Sequence, residues 1–178
     1  MKKNDFLHFL LLALLILLVV VYRLFNFIPN FTPIAALALL CGYVFKNKKW
    51  YLILPVIALF ISDLFIGLYQ SIVMIFTYLS FVVIALIGAK MIKKIKVTSV
   101  FLSSITASFT FFVLSNFGVW LGGWYGYSWH GLINCYIMAI PFFRYEIIGT
   151  LFFTFLIFAI FNFAIKPIAT PELQNKLY

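Results

Sequence analysis

The chain has 178 residues, 66% of them hydrophobic and 10% charged, with a mean hydropathy of +1.15. A soluble domain of this length cannot bury so many Leu, Ile, Val and Phe side chains in one core, whereas bilayer-spanning helices leave them facing lipid. Composition therefore excludes a soluble enzyme, a disordered tail and a secreted disulfide scaffold, and the formal charge of +9, from 13 Lys and Arg against 4 Asp and Glu, takes its meaning from where the charges fall.

Lys2 and Lys3 precede an apolar run from Phe6 to Tyr22 that only His8 interrupts, which predicts helix one. The run is too long for the hydrophobic region of a signal peptide, and no small-x-small cleavage pattern follows it, so it is expected to be retained. The second run, Ile34 to Phe45, rises only about 18 Å at 1.5 Å per residue, against a hydrocarbon core of about 30 Å. It can span only where the membrane thins or the helix extends. Further helices are predicted over 51–68, 72–92, 97–119 and 147–165, with an external aromatic and Gly-rich loop over 120–146. The expected fold is one all-α transmembrane domain over residues 1–178, with six membrane-spanning helices and both termini cytoplasmic.

Lys and Arg accumulate in cytoplasmic loops, and this count of spans obeys that rule. Lys2 and Lys3, the Lys46–Lys49 and Lys90–Lys96 clusters, Lys166 and Lys176 all fall on the inner side, leaving only Arg23 and Arg144 near the outer surface. If the short second segment did not cross, the Lys46–Lys49 cluster would be stranded outside. The basic charge thus signals topology and contact with anionic lipid, not nucleic acid.

The polar residues sort to the outer half. Loop one carries Asn26, Asn30 and Thr32, loop three Gln70, and loop five Trp120, Trp124, Tyr125 and His130; Asp63, Asn116, Arg144 and Glu146 lie near the outer helix ends. An intramembrane carboxylate is costly unless paired, protonated or hydrated. Asp63 is therefore either a substrate contact or coupling proton site, or a structural ion-pair partner of Arg144 or Arg23. Glu146 falls in the first turn of the predicted helix six, where the helix dipole favours negative charge. The run from Asn116 to Gly131 mixes large rings with glycines, which suits stacking of a planar ligand as well as an ordinary interfacial belt. His130 reads as a polar anchor or as a proton carrier or metal ligand. Cys41 and Cys135 lie at different depths, against a disulfide, and no metal motif or cofactor motif is present. Ala38 with Gly42, and Ala85 with Ala89, have small-xxx-small spacing for helix contacts within the protein or with a partner. No phosphate loop, His-Glu-x-x-His or Gly-x-Ser-x-Gly signature occurs, so energy must come from a partner or a gradient.

Asn30-Phe31-Thr32-Pro33-Ile34-Ala35-Ala36-Leu37-Ala38-Leu39, Ser62-Asp63-Leu64-Phe65-Ile66-Gly67-Leu68, Ser115-Asn116-Phe117-Gly118-Val119-Trp120, Cys135-Tyr136 and Pro141-Phe142-Phe143 resemble an uncharacterised bacterial family of membrane transport proteins, over most of residues 25 to 160. The general plan is also similar to that of the substrate-capture (S) components of energy-coupling-factor vitamin transporters and the related solitary cobalamin transporters. The resemblance implies a non-enzymatic protein of the bacterial inner membrane that takes a vitamin-like solute into an outward pocket roofed by loops one, three and five. Asn30, Thr32, Asp63, Gln70 and Asn116 would bond the solute, with Trp120, Trp124, Tyr125, His130 and Arg144 around it. It also implies an energising transmembrane and ATPase module as partner. The Ala-x-x-x-Ala docking pattern of S components is absent from helix one, whose only alanine is Ala13, so a solitary transporter is an equal expectation. Two other classes remain open: a membrane enzyme using Asp63, Glu146 and His130, and a structural or assembly subunit using the small-residue faces.

Overall fold

A computed structural model describes residues 3–26, 28–46 and 50–165. Of the basic residues that define the expected topology, Lys2, Lys48, Lys49, Lys166 and Lys176 lie outside the described residues. Six α-helices follow in order: α1 (Lys3–Phe25), α2 (Ile34–Phe45), α3 (Trp50–Ile66), α4 (Ser71–Met91), α5 (Val97–Leu121) and α6 (Trp129–Ile160), the last running on into a π-helical stretch, Phe161–Ile165. There is no strand among the described residues. α4, α5 and the combined Trp129–Phe163 helix are each long and apolar enough to cross a membrane.

The hub is α2. Every residue from Ile34 to Val44 is buried, and the helix packs on α3, α4 and α6 and touches α1 and α5. A helix apolar on all sides must be surrounded by others, and its sequence of Ala35, Ala36, Ala38 and Gly42 keeps it thin enough for neighbours to close in. The tightest approach is to α4. A Cβ on Gly42 would run into Ala85 O and lie 2.7 Å from Ala89 N, and one on Gly88 would run into Leu39 O and lie 2.8 Å from Leu39 Cα. The small-residue faces of α2 and α4 therefore pack against each other inside the protein. Lys46 lies one turn beyond Gly42 and Lys90 directly follows Ala89, so this contact brings the two lysines to the same end of α4.

The shortness of α2 has a structural answer. The α1–α2 loop does not stay at the end of the bundle but folds back into it, with Phe31 stacked among Phe152 and Phe153 in the second half of α6. Gly149 makes room: a Cβ there would lie 3.0 Å from Phe31 Cα. Asn26 shapes the loop, its amide nitrogen donating to Ile28 O (2.8 Å) and Phe31 O (2.9 Å) while its oxygen accepts from Ile28 N (3.2 Å). Turn and irregular chain thus complete the path that α2 leaves unfinished.

α6 differs most from the sequence expectation. The predicted external loop over 120–146 is a turn of only seven residues, 122–128, and the helix predicted from 147 begins at Trp129. Ser128 caps it, accepting from Gly131 N at 3.0 Å, and Pro141 sits inside without ending it. The glycines divide in role: Gly123 (φ 84) and Gly126 (φ 73) make the turn in the left-handed region, whereas Gly131 is helical and lies against the turn's carbonyls.

Gly42→Ala or Gly88→Ala is expected to cost about 3 kcal/mol, the upper end for overpacking because the clash is with backbone. Thermal unfolding in detergent checks this, with the exposed Ile137→Ala expected to melt as wild type.

Candidate functional site

The two buried carboxyls have opposite surroundings. Asp63, near the end of α3, is 1% exposed and bonded through both oxygens: Oδ1 accepts from Arg23 Nη1 of α1 at 2.6 Å and Oδ2 from the Tyr78 hydroxyl of α4 at 2.7 Å. The same guanidinium nitrogen donates to Ser62 Oγ and to Leu59 O. The cluster ties α1, α3 and α4 together and gives each carboxylate oxygen a donor from another helix. Of the two partners expected for Asp63 it is Arg23, not Arg144, that pairs, so the ion pair orients α1 against α3 and not α3 against α6.

Glu146 lies elsewhere. With α6 starting at Trp129 it is about 26 Å along the helix by the 1.5 Å rise, so the first-turn dipole that the sequence suggested is not what stabilises it. It is 5% exposed. One oxygen accepts from Thr150 Oγ1 at 2.9 Å; the other has no hydrogen-bond partner, and no cation is paired with the carboxyl, among the described residues. A carboxyl buried in that way is compensated by a proton or by a positive group that comes to it.

Glu146 lines a partly open cavity of about 270 Å³ bordered by α4, α5, α6 and the deep α1–α2 loop. Thr77 comes from α4, Ser115 and Asn116 from α5, Cys135 and Ala139 from α6, Asn30 from the loop and Tyr125 from the α5–α6 turn. Phe111, Phe112, Phe142 and Phe143 supply ring walls, with the Phe112 and Phe143 centroids 4.4 Å apart. Asn30 holds φ 59, a left-handed conformation that Asn tolerates better than most residues. Ser115 Oγ and Asn116 Nδ2 donate back to Phe111 O (2.6 Å) and Phe112 O (2.8 Å), which leaves Asn116 Oδ1 as a spare acceptor among the described residues. The wall between α5 and α6 is locked by Cys135 Sγ to Asn116 O (3.3 Å) and the Tyr136 hydroxyl to Val113 O (2.7 Å).

Of the residues expected around a solute, the structure brings Asn30, Asn116 and Tyr125 to this cavity; the others lie elsewhere. Gln70 and Trp124 form a clasp between two turns, Gln70 donating to Gly122 O (2.9 Å) and accepting from Trp124 Nε1 (2.6 Å). Trp120 packs tilted against Phe117, with ring centroids 5.5 Å apart, and its buried indole N–H has no partner among the described residues. Thr32 is in the α1–α2 loop, and His130 and Arg144 are exposed on α6. The Arg144 guanidinium rests over the ring of Tyr145, 4.7 Å from its centroid. Glu146, Thr77 and Cys135 were not singled out from sequence as ligand contacts. The spacing Glu146, Thr150, Thr154, one buried polar stripe at i, i+4 and i+8 in the second half of α6, is the signal that could have found Glu146; no comparable spacing marks Thr77 or Cys135.

The chain belongs to a family of unknown function (DUF6580), whose profile matches residues 3–173. That match runs from α1 through the π-helical stretch and so includes the whole cavity. No curated protein and no solved structure matches the chain.

Because the Arg23–Asp63 pair is nearly closed to solvent, Arg23→Ala or Asp63→Asn is expected to destabilise the protein by about 3 kcal/mol. The double variant Arg23→Met/Asp63→Leu should recover most of that loss, as read by melting in detergent.

Proposed function

We propose that this chain is a multi-pass transporter or substrate-capture protein of the bacterial cytoplasmic membrane, crossing it six times with both termini inside. The charge distribution supports the topology. Lys46 and the Lys90–Lys96 segment share one end of the bundle, and the α1–α2, α3–α4 and α5–α6 connections occupy the other. Asn30 and Tyr125 bring the α1–α2 and α5–α6 connections to the cavity, which extends from the α5–α6 turn to Glu146 near the middle of α6.

The observation that carries the functional reading is that polar cavity. An apolar bundle gains nothing from an internal space lined by Glu146, Asn116 and Thr77 unless something polar enters it. The solute would enter from outside, be held between α4, α5 and α6, and be released inward when the α1–α2 loop and α6 shift. At about 270 Å³ the space suits a compact solute at the small end of ligand sites; a corrinoid is several times larger, so we favour a small heterocycle or amine over cobalamin. Docking to an energising module rests on no residue pattern in α1.

Two observations favour the capture reading over the competing classes. An assembly subunit was suggested by small-residue faces, and these are consumed in the α2–α4 contact. An enzyme needed Asp63, Glu146 and His130 together, yet one is in the Arg23 cluster, one in the cavity and one on the exposed start of α6.

In a Cys41→Ala/Cys135→Ala background, Tyr127→Cys should react with a membrane-impermeant maleimide in intact cells, and Lys93→Cys only after permeabilisation. For capture, a small-molecule extract of the host should raise the melting temperature of the purified protein, since a ligand at one hundred times its Kd stabilises by about 2.7 kcal/mol. Ala139→Phe, which fills the cavity, should abolish that rise while remaining folded; an extract that stabilises neither protein overturns the reading.

A further inference from the structure

Glu146 constrains what the cavity can hold. The titratable groups along the lining are Glu146, Tyr125 and Cys135, and no Lys, Arg or His is among them. The two arginines of the chain are engaged elsewhere, Arg23 with Asp63 and Arg144 over Tyr145. Arg144 is two residues from Glu146, a spacing that puts the two on different faces of the helix; it is exposed whereas Glu146 is buried. One carboxylate oxygen is held by Thr150 and the other has no partner among the described residues, with Asn116 Oδ1 as a second acceptor on the facing helix.

The walls have the same polarity. Phe111, Phe112, Phe142 and Phe143 present ring faces and edges, and the face of an aromatic ring is its negative pole. A positive group near Glu146 would gain a charge-assisted hydrogen bond and ring contacts together, in a setting where water competes little. A carboxylate-bearing solute would gain no ion pair there and would face the negative poles of the rings.

Resting on the capture reading above, we infer that the solute is a compact organic cation, an ammonium, amidinium or protonated heterocycle, whose positive group pairs with Glu146 while its flat or apolar flank lies against the α5 and α6 rings. Glu146 is then the residue that sets specificity by charge. Asn116 and Thr77 add directional bonds.

Three probes of nearly the same shape and different charge test this on the purified full chain: benzamidinium, benzamide and benzoate, each titrated by calorimetry at pH 7. Benzamidinium is expected to bind at least tenfold more tightly than the other two, with the preference lost in Glu146→Gln and kept in Glu146→Asp. The wild-type series alone decides the matter if the Gln variant does not fold. Benzamide or benzoate binding as tightly as benzamidinium, or a cation preference surviving in Glu146→Gln, overturns the cation inference and leaves capture standing. If none of the three binds while host extract still stabilises the wild type, the cation inference again falls alone. If neither probes nor extract act on the protein, both fall.

Discussion

A helix of 12 residues at the centre of a bundle whose neighbours run to 21, 25 and 32 cannot fill the axis it occupies. α2 is held at one end by the backbone-to-backbone approach of Gly42 to Ala85 and Ala89 and of Gly88 to Leu39, so the unfilled length is pushed to the other end. There the chain must be something other than helix, and the backbone it exposes must be satisfied locally. Asn26 does that for the α1–α2 loop, Gly149 gives the loop a seat on α6, and Asn30 reaches what space remains. The cavity is the remainder of this geometry, and close packing of α2 is its precondition.

The two buried carboxyls show how burial alone does not define a role. Asp63 and Glu146 are about equally withdrawn from solvent, but Asp63 is bonded through both oxygens to groups from α1 and α4, whereas Glu146 has one hydroxyl from its own helix. A saturated carboxylate holds helices together and is costly to disturb. One with a single hydroxyl partner that faces a cavity can accept a further donor. Sequence position does not distinguish them, because each is the lone acid of its helix; the partner sets do.

The number and order of helices were legible because each apolar run is bounded by lysines, glycines or prolines, and the small-xxx-small spacing in α2 and α4 marked two faces that meet. Asp63 was legible as an ion-pair candidate, though not which arginine would answer it, since Arg23 and Arg144 were both assigned to the outer side. The start of α6 was not legible. The segment from Trp120 to Arg144 is rich in Trp, Tyr and Gly, and those residues signal loop at a membrane interface; Ser128 as a cap and the regular apolar spacing beyond it are weaker signals. That single displacement moved Glu146 from a helix terminus to a helix interior, and so hid the cavity's charged residue. Gln70 and Trp124 were assigned to a ligand because polar and aromatic groups converge at one end, where the fold uses them to join two turns.

The central claim is that the space between α4, α5, α6 and the α1–α2 loop is a solute site, and native mass spectrometry of the protein taken directly from its host membrane tests it most directly. The account predicts the 20.6 kDa polypeptide carrying one small molecule that dissociates on activation. A polypeptide that never carries one, even when extracted in the presence of host metabolites, would contradict it.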